Sequence, residues 1–236
     1  MKHRPSPSAP GPEAIAKSVR GHLARHLGAD LANLPGEFLD RMQHFAGGIA
    51  LWGARTNLTA RPDDPEEVAF HVIDSVMPVV IAPLIEMLSG RFSAAARVAD
   101  IGSGAGFPGL VLAAASDAHF TLIESRRKRA SFLTVMVAEM GLRNAEVIAA
   151  RAEDAHLDSD FDLVTARAFG AAAEFFTLAT RALKPRGVAM LYANASQRLS
   201  LDAARTAGLS DYTRVPYQIT HGAERVSRVL ALWRKA

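Results

Sequence analysis

The sequence predicts an α/β fold in which N-terminal helices precede a mostly parallel seven-stranded sheet that ends in an antiparallel hairpin. From Pro12 to about Leu88, apolar residues recur at the spacing of helices. From Ala96 onward the period changes, and short β-branched runs alternate with amphipathic helical stretches. Alternation of this kind builds a parallel sheet that is covered by helices.

The first part of the chain is predicted to hold three helices. The first two are marked by apolar residues at helical spacing, namely Ile15, Val19, Leu23 and Leu27, then Phe38, Met42, Phe45 and Ile49. A third helix is expected to open after Pro65, with Glu66 and Glu67 in its first turn, where the helix dipole favours acids. We predict a helical segment over 13–92, and a disordered tail over 1–12 that lacks the apolar stretch of a secretory signal.

Residues 93–236 are predicted to form the sheet domain. Its expected elements are strand 97–101, helix 107–115, strand 119–124, helix 126–140, strand 145–149, strand 161–166, helix 171–182 and strand 187–192. Two further strands are expected at Asp211–Ile219 and Arg225–Trp233, joined through residues 220–222. Because no helix separates these two strands, they are predicted to pair as a hairpin on the sheet edge.

The composition limits the classes of protein that the chain can belong to. Hydrophobic residues make up 49% of 236 residues, enough for a sizeable core. The absence of cysteine excludes disulfides, thiolate metal sites and a cysteine nucleophile, and no metal is expected. No apolar run is expected to span a bilayer, because Pro78, Pro83 and Glu86 interrupt the stretch Val76–Leu88. We therefore expect a soluble cytoplasmic protein without a membrane partner.

The positive charge is small but clustered, which favours a polyanionic partner. The formal net charge is +3, and the sequence pI is about 9.5. The candidate contacts to such a partner are the run Arg126, Arg127, Lys128 and Arg129, together with Arg55 and Arg61. A solvated helix start would explain Arg126 and Arg127 equally well.

The strongest local motif is a glycine-rich turn after an apolar strand that ends in Asp100. Glycines follow at Gly102, Gly104 and Gly106, and Phe107 stands where the dinucleotide fingerprint requires a third glycine. Glycines allow a ligand to approach the backbone, and a helix start favours a negative group. The G-x-G-x-G spacing argues against a nicotinamide dinucleotide and suits the amino-acid end of S-adenosylmethionine.

Further polar residues are expected at the same edge of the sheet, where open α/β sheets bind ligands. Glu124 ends the second strand, about twenty residues after the glycines, and could accept both ribose hydroxyls. Ala152 and Glu153 follow the third strand, and Arg167 follows the fourth. Taken alone, these residues would also fit solvated loop and strand-end charges.

With these motifs in place, the chain resembles the bacterial 16S ribosomal RNA guanine-N7 methyltransferases, also called the glucose-inhibited division protein B family. The shared residues are Asn57-Leu58-Thr59, His71-Val72-Ile73-Asp74-Ser75, Asp100 to Gly109, Glu124-Ser125, Lys128-Arg129, Phe132-Leu133, Ala152-Glu153 and Arg167-Ala168-Phe169. The glycine turn alone would indicate only a methyltransferase. The N-L-T and H-x-x-D-S stretches, with F-P-G in the turn, narrow the resemblance to this family.

The resemblance implies a Rossmann-like class I fold, S-adenosylmethionine as cofactor, and a guanine of small-subunit rRNA as substrate. It implies cofactor contacts at Gly102, Phe107, Ala152, Glu153 and Arg167. The candidates for a role near the reacting atoms are Asn57, His71, Asp74 and Arg167. Without the resemblance, Asn57-Leu58-Thr59 would suit a simple turn, and His71 with Asp74 would suit a local hydrogen-bonded pair.

One departure from the family pattern bears on the substrate. The family usually carries a lysine followed by a glycine near Ala195 and Ser196, and this sequence has neither. Two alternatives therefore stay open beside rRNA methylation. The first is a methyltransferase for a small molecule or a protein, with the N-terminal helices as a lid. The second is an RNA-binding module without catalytic activity.

Overall fold

The fold is given by a computed structural model that describes residues 10–157, 159–167 and 170–236. The described residues form a seven-stranded sheet in the order β3-β2-β1-β4-β5-β7-β6. The strands are β1 Arg97–Ile101, β2 His119–Ile123, β3 Ala145–Ile148, β4 Phe161–Arg167, β5 Leu183–Asn194, β6 Leu209–His221 and β7 Glu224–Lys235. Strands β1 to β5 pair in parallel, and β7 is antiparallel to both β5 and β6. The predicted fold class is confirmed.

Seven α-helices are described beside the sheet. They are α1 Pro12–Leu27, α2 Phe38–Thr56, α3 Pro65–Ile81, α4 Gly109–Ala115, α5 Arg127–Glu139, α6 Ala172–Ala182 and α7 Leu201–Thr206. Helices α4, α5 and α6 lie within two residues of their predicted bounds and α3 begins at Pro65, next to its predicted start, whereas α7 was not predicted. Strand β5 is longer than its predicted range 187–192, because its first residue, Leu183, already pairs with Phe161 of β4. Of the predicted tail, residues 1–9 lie outside the described residues.

Alternate residues of the central strands enter two different cores, because a strand points successive side chains to opposite faces. Val98 of β1 packs in one core and its neighbour Ala99 in the other. The first core is covered by α1 to α5, and the second by α6 and α7. Both faces are thus buried, which explains why residues 188–193 of β5 form a continuous apolar run.

The N-terminal helices share one core with the sheet. Val19 of α1, Phe45 of α2 and Val72 of α3 are fully buried in the same cluster as Val98 and Leu122 of the sheet. Helix α3 also contacts α1, α4 and β6. The helical segment is therefore packed onto one face of the sheet, and it brings α3 to the strand ends.

Helix α3 belongs to a segment that is more apolar than the sequence analysis expected. The stretch Pro65–Leu84 is, by length and composition alone, long and apolar enough to cross a membrane. The expectation that no apolar stretch is long enough to span a bilayer is therefore wrong. The helix continues through Pro78, which the sequence analysis treated as an interruption. Its residues Val68, Val72 and Val76 are fully buried in the first core. A helix buried in the core of a soluble protein can have the same length and apolar composition, so these two properties alone are weak evidence for a membrane span.

The sheet topology fixes where a ligand can bind. Strand β1 lies between β2 and β4. The chain runs from β1 outward to β2 and β3 on one side, and then returns to β4 and β5 on the other, so the strand order reverses at β1. Asp100 near the end of β1 is in register with Leu122 of β2 and with Thr165 of β4. In open parallel sheets the crevice outside the carboxyl ends at such a switch point is the usual binding site.

Candidate functional site

The glycine turn after β1 is tied to the end of β2 by backbone hydrogen bonds. The amides of Gly102 and Ser103 both donate to the carbonyl oxygen of Ile123, at 2.9 and 3.0 Å. Gly104 has a φ of 58°, in the left-handed region, and a Cβ placed there would meet no atom closer than 3.7 Å. The turn therefore leaves its backbone open to an approaching ligand at Gly104, where a side chain would be strained.

Glu124, directly after β2, is held by the same turn. Its Oε2 accepts a hydrogen bond from the Gly104 amide at 2.9 Å, and its Oε1 accepts one from the Arg126 amide at 2.7 Å. The residue is 5% exposed. Each carboxylate oxygen can accept a further hydrogen bond. The side chain is thus fixed in place and retains acceptor capacity for a ligand.

Asp100 is buried below the turn with one unpaired oxygen. Its Oδ2 accepts a hydrogen bond from the Gly109 amide at 3.0 Å, and its Oδ1 has no partner among the described residues. A Cβ at Gly109 would lie 2.5 Å from Oδ2, so this position requires glycine. Burial raises the pKa of Asp100 to about 7, against the lowering effect of the Gly109 hydrogen bond. The hydroxyl of Thr165, in register on β4, is buried too and has no hydrogen-bond partner in the part of the chain that the structure describes.

The segment after β3 has its backbone fixed from α6. Ala152 and Glu153 open a short 3₁₀ turn, and Arg181 donates hydrogen bonds to both of their carbonyl oxygens, at 2.9 and 3.0 Å. Ala152 is buried and Glu153 is exposed. The predicted pair thus stands at the carboxyl end of β3, in the strand next to the one that Glu124 follows.

Four predicted residues from three separate parts of the chain meet at the end of β4. Arg167 Nη1 lies 3.4 Å from His71 Nδ1 and 3.5 Å from Asp74 Oδ2. The Arg167 guanidinium lies over the ring of Phe107, 4.8 Å from its centroid, and the His71 ring is 5.3 Å from the same ring. The predicted neighbours Ala168 and Phe169 lie outside the described residues.

This arrangement keeps His71 neutral. Burial, reinforced by the positive charge of Arg167, lowers the pKa of His71 to about 4. Its Nε2 lies 3.3 Å from Glu67, which favours the charged form but does not outweigh burial. At neutral pH the imidazole therefore carries no charge beside Arg167.

Asp74 is saturated with hydrogen-bond donors. Its Oδ1 accepts from the Tyr217 hydroxyl at 2.6 Å and from Arg228 Nε at 3.0 Å, and its Oδ2 accepts from Arg228 Nη2 at 2.9 Å. Burial beside this carboxylate raises the pKa of Tyr217, so its hydroxyl keeps the proton that it donates. Together with Arg167, these donors leave Asp74 little capacity for a ligand.

The N-L-T segment contacts the last residue of the basic run, Arg129. Asn57 ends α2 with a φ of 48°, and its carbonyl oxygen accepts a hydrogen bond from Arg129 Nη2 at 2.8 Å. The side chain of Arg129 is therefore partly committed to holding this segment against α5. Asn57 itself is exposed.

A family model described as rRNA small subunit methyltransferase G, the GidB family, matches residues 39–227. The chain belongs to this family. Ribosomal RNA small subunit methyltransferase G of Acidiphilium cryptum is 39% identical over 198 residues, which cover 83% of this chain and 86% of that protein. The protein of the same name from Leifsonia xyli is 36% identical, over 75% of this chain and 79% of its own length.

Solved structures show the same fold at low identity. A tRNA (m1A58) methyltransferase from Aquifex aeolicus has a TM-score of 0.52 and 12% identity, over 70% of this chain and 68% of its own. A SAM-dependent O-methyltransferase from Thermotoga maritima has a TM-score of 0.51 and 14% identity, over 70% and 65%. These likenesses concern the fold alone.

The basic residues of this GidB-family chain differ in whether their side chains have partners within the protein. Arg55, Arg126, Arg127 and Lys128 are exposed, the last three at the start of α5. Arg61 forms ion pairs with Asp64 at 2.9 Å and with Glu67 at 2.6 Å. Of the six predicted RNA contacts, Arg61 and Arg129 therefore have side-chain partners, whereas the other four form no ion pair with the described residues.

The segment that lacks the family's lysine has arginines beside it. Arg214 of β6 donates a hydrogen bond to the carbonyl oxygen of Ala195, and Arg228 of β7 contacts the side chain of Asn194. Positive charge is thus present near the end of β5, although it comes from the hairpin and not from the segment itself.

The sequence analysis missed three residues that form hydrogen bonds with Asp74 or Ser75 of α3: Tyr192, Tyr217 and Arg228. Tyr192 donates to the carbonyl oxygen of Ser75 at 2.8 Å, and the other two bind Asp74. One signal was available for Arg228. It alternates with Val226 and Leu230 along β7 and so lies on the face that packs into the first core, where an arginine needs a partner.

Proposed function

We propose that the protein transfers a methyl group from S-adenosylmethionine to N7 of a guanine in 16S rRNA of the small ribosomal subunit. Family membership supports methyl transfer to small-subunit rRNA, and the resemblance in the motifs supports N7 of guanine. The observation that carries the proposal is the position of Glu124. Its carboxylate is fixed by the Gly104 and Arg126 amides at the carboxyl edge of the sheet, beside the open glycine turn.

The residues present fit this cofactor. Asp100 Oδ1 is buried without a partner among the described residues, and each Glu124 oxygen accepts one hydrogen bond from the backbone and can accept another from a ligand. We assign Glu124 to the ribose hydroxyls, and the backbone of the turn to the amino-acid end. The residues that would hold the cofactor are Asp100, Gly102, Gly104, Gly106, Glu124, Ala152, Glu153 and Arg167. When bound, S-adenosylmethionine supplies a methyl group already activated on a sulfonium.

Phe107 supports the site from within the protein. It is 5% exposed, and its ring packs against Phe45, His71 and Arg167. We therefore assign its side chain to holding Arg167 and the glycine turn, and leave any cofactor contact to its backbone.

The proposed reaction asks for positioning and not for a base. Guanine N7 carries a free lone pair and loses no proton on methylation, so no general base is required. His71 has its pKa lowered to about 4 by burial and by Arg167, and Asp74 is saturated by donors. Alignment of the reacting groups can contribute about 7–11 kcal/mol. We assign Asp74 to positioning, in place of a direct role in stabilising the charged product.

Phosphate contacts would hold the RNA at the start of α5. Arg126, Arg127 and Lys128 are exposed there, within four residues of Glu124, and Arg55 is exposed near the N-L-T segment. Contacts of this kind set affinity and register without reading sequence. With this proposed substrate, the protein would act in the cytoplasm with the small ribosomal subunit as its partner.

Mapping N7-methylguanine in small-subunit rRNA tests this proposal. Cells without the gene are expected to lack one such modification, and a plasmid copy of the wild-type gene is expected to restore it. A copy with Arg167→Ala should restore it poorly. An unchanged modification pattern in the deletion strain, or purified protein that binds S-adenosylmethionine but methylates neither 16S rRNA nor small subunits, would contradict the proposal.

A further inference from the structure

We infer that Tyr217 and Arg228, both on the C-terminal hairpin, are positioning residues that hold the guanidinium of Arg167 in the site through the carboxylate of Asp74. This inference rests on the proposed function, because it assigns the purpose of the network to methyl transfer. It gives the hairpin a role in the site that the sequence motifs do not indicate.

The hairpin fixes the carboxylate of Asp74 on both oxygens. Arg228 donates from Nε and Nη2, at 3.0 and 2.9 Å, in a forked arrangement that sets the plane of the carboxylate. Tyr217 adds a third hydrogen bond at 2.6 Å. Asp74 is 1% exposed, so water contributes little to its orientation.

Asp74 in turn pairs with Arg167. The distance from Asp74 Oδ2 to Arg167 Nη1 is 3.5 Å, and the Arg167 side chain is 14% exposed. A guanidinium that is mostly removed from water needs an acceptor nearby. It also contacts the neutral ring of His71 and the face of Phe107, and Asp100 acts on it only electrostatically, so Asp74 is the carboxylate among the described residues that contacts it. Movement of Asp74 would therefore move Arg167.

The hairpin does not need these ionic contacts in order to dock. Strand β7 pairs with β5 over Val188–Asn194 and with β6 along most of its length. Ile219 and Leu230 are buried in the first core beside Tyr217. Burying two arginines and an aspartate costs desolvation energy that an apolar contact at the same place would avoid. The contacts of Asp74 with Tyr217, Arg228 and Arg167 therefore do more than attach the hairpin: they fix the position of Arg167.

A double-mutant cycle tests whether the hairpin acts through Arg167. Tyr217→Phe removes only the hydroxyl, and Arg228→Lys keeps the charge but loses the fork. Each is expected to lower kcat for methyl transfer to small subunits about tenfold, with KM for the rRNA unchanged. In an Arg167→Ala background, neither change should lower kcat further, because its effect passes through the residue already removed.

Matched controls on the same hairpin separate positioning from folding. Tyr212→Phe removes a hydroxyl from β6 on the opposite face, where the ring packs against Trp233, and Arg225→Lys alters an exposed residue of β7. Both should keep wild-type kcat. Equal losses from Tyr217→Phe with and without Arg167 would overturn the inference, and so would wild-type kcat in Tyr217→Phe and Arg228→Lys.

A measurement on the protein without substrate keeps this inference separate from the proposed function. The two terminal nitrogens of the Arg167 guanidinium, Nη1 and Nη2, should give separate NMR signals in the wild type, because the group is held, and one averaged signal in Tyr217→Phe and in Asp74→Asn. Tyr212→Phe should leave them separate, and Arg167→Ala identifies them by their loss. Separate signals in Tyr217→Phe would overturn the inference. If wild-type protein gives the expected spectra but methylates no rRNA, the proposed function alone fails.

Discussion

Gly104 donates its backbone amide to Oε2 of Glu124, at 2.9 Å and across twenty residues of sequence. This hydrogen bond joins the glycine turn after β1 to the acid after β2. The turn and the carboxylate are the two parts of the site that we assign to the cofactor. They therefore form one structural unit, in which a change in either part should affect the other.

Replacing Glu124 with glutamine should weaken cofactor binding. An amide offers one acceptor where the carboxylate offers two, so its NH₂ would face either the Gly104 or the Arg126 donor. Losing a charged hydrogen bond of this kind costs about 1.5–3 kcal/mol, which predicts affinity for S-adenosylmethionine at least about tenfold lower. Calorimetric titration measures it. Glu139→Gln, exposed at the end of α5, is the control and should bind as the wild type does. Equal affinity in both variants would remove Glu124 from the site.

Replacing Gly109 with alanine should destabilise the fold. The new Cβ would lie 2.3 Å from a methyl group of Leu122 and 2.5 Å from Oδ2 of Asp100, in a fully buried position. Overpacking of this kind costs about 1–3 kcal/mol. Gly47→Ala is the control, because its Cβ would meet Ala16 at an ordinary 3.8 Å within a helix. Urea unfolding should show a loss for Gly109→Ala and none for Gly47→Ala, and an unchanged midpoint for Gly109→Ala would contradict the packing seen here.

Asp100 should make stability depend on pH. Burial raises its pKa from 3.8 to about 7, so the folded protein keeps a proton that the unfolded chain releases. Stability from this group is therefore greatest below about pH 4, falls by up to about 1.4 kcal/mol for each pH unit as the pH rises, and is constant above about pH 7. His71 acts in the opposite direction, because burial and Arg167 lower its pKa from 6.5 to about 4 and stability is lost as the pH falls through that window.

Asp100→Asn isolates the first contribution, because it keeps the size of the side chain and removes its titration. The difference in unfolding free energy between wild type and variant should change by several kcal/mol between about pH 4 and about pH 7, and stay constant above that. Denaturant unfolding at fixed ionic strength measures it. A difference that does not vary with pH would show that Asp100 titrates normally in the folded protein.

The exposed bases of α5 should account for part of the salt dependence of RNA binding. Changing Arg126, Arg127 and Lys128 to glutamine together should reduce the slope of log affinity against log salt by about 2–3 units. Arg129→Gln should instead lower stability, because its side chain holds the Asn57 carbonyl oxygen. Arg143→Gln, exposed before β3, is the control for charge alone. Filter binding of 16S rRNA across salt concentrations measures the slopes, and an unaltered slope in the triple variant would exclude these phosphate contacts.

The order and type of the sheet elements could be predicted because they depend on local pattern. The change from helical spacing to alternating strands and helices placed β1 to β4 within one residue of their observed ends. Helix α7 was missed because six residues carry too short a pattern to be recognised. Strand β5 was predicted too short because residues 184–187, which include Pro185 and Gly187, form an irregularity between Leu183 and Val188, the residues that pair with β4.

The candidate site could be predicted in part, for the same reason. Glu124 and the glycines were found because their spacing along the chain reflects one turn and one strand. The sequence could not show which basic side chains form ion pairs within the protein. Arg61 and Arg126 look alike in sequence and both are exposed, but Arg61 forms ion pairs with Asp64 and Glu67, whereas Arg126 forms none with the described residues.

The sequence by itself determined the fold class, the glycine turn and the acid that follows β2, because each is encoded by neighbouring residues. Only the tertiary structure decided what surrounds Asp74. Its partners Tyr217 and Arg228 stand 143 and 154 residues away, and no local pattern links them to it. They meet because α3 packs across the face where β6 and β7 close the sheet, and a buried carboxylate there is stable only with donors brought to it by the fold.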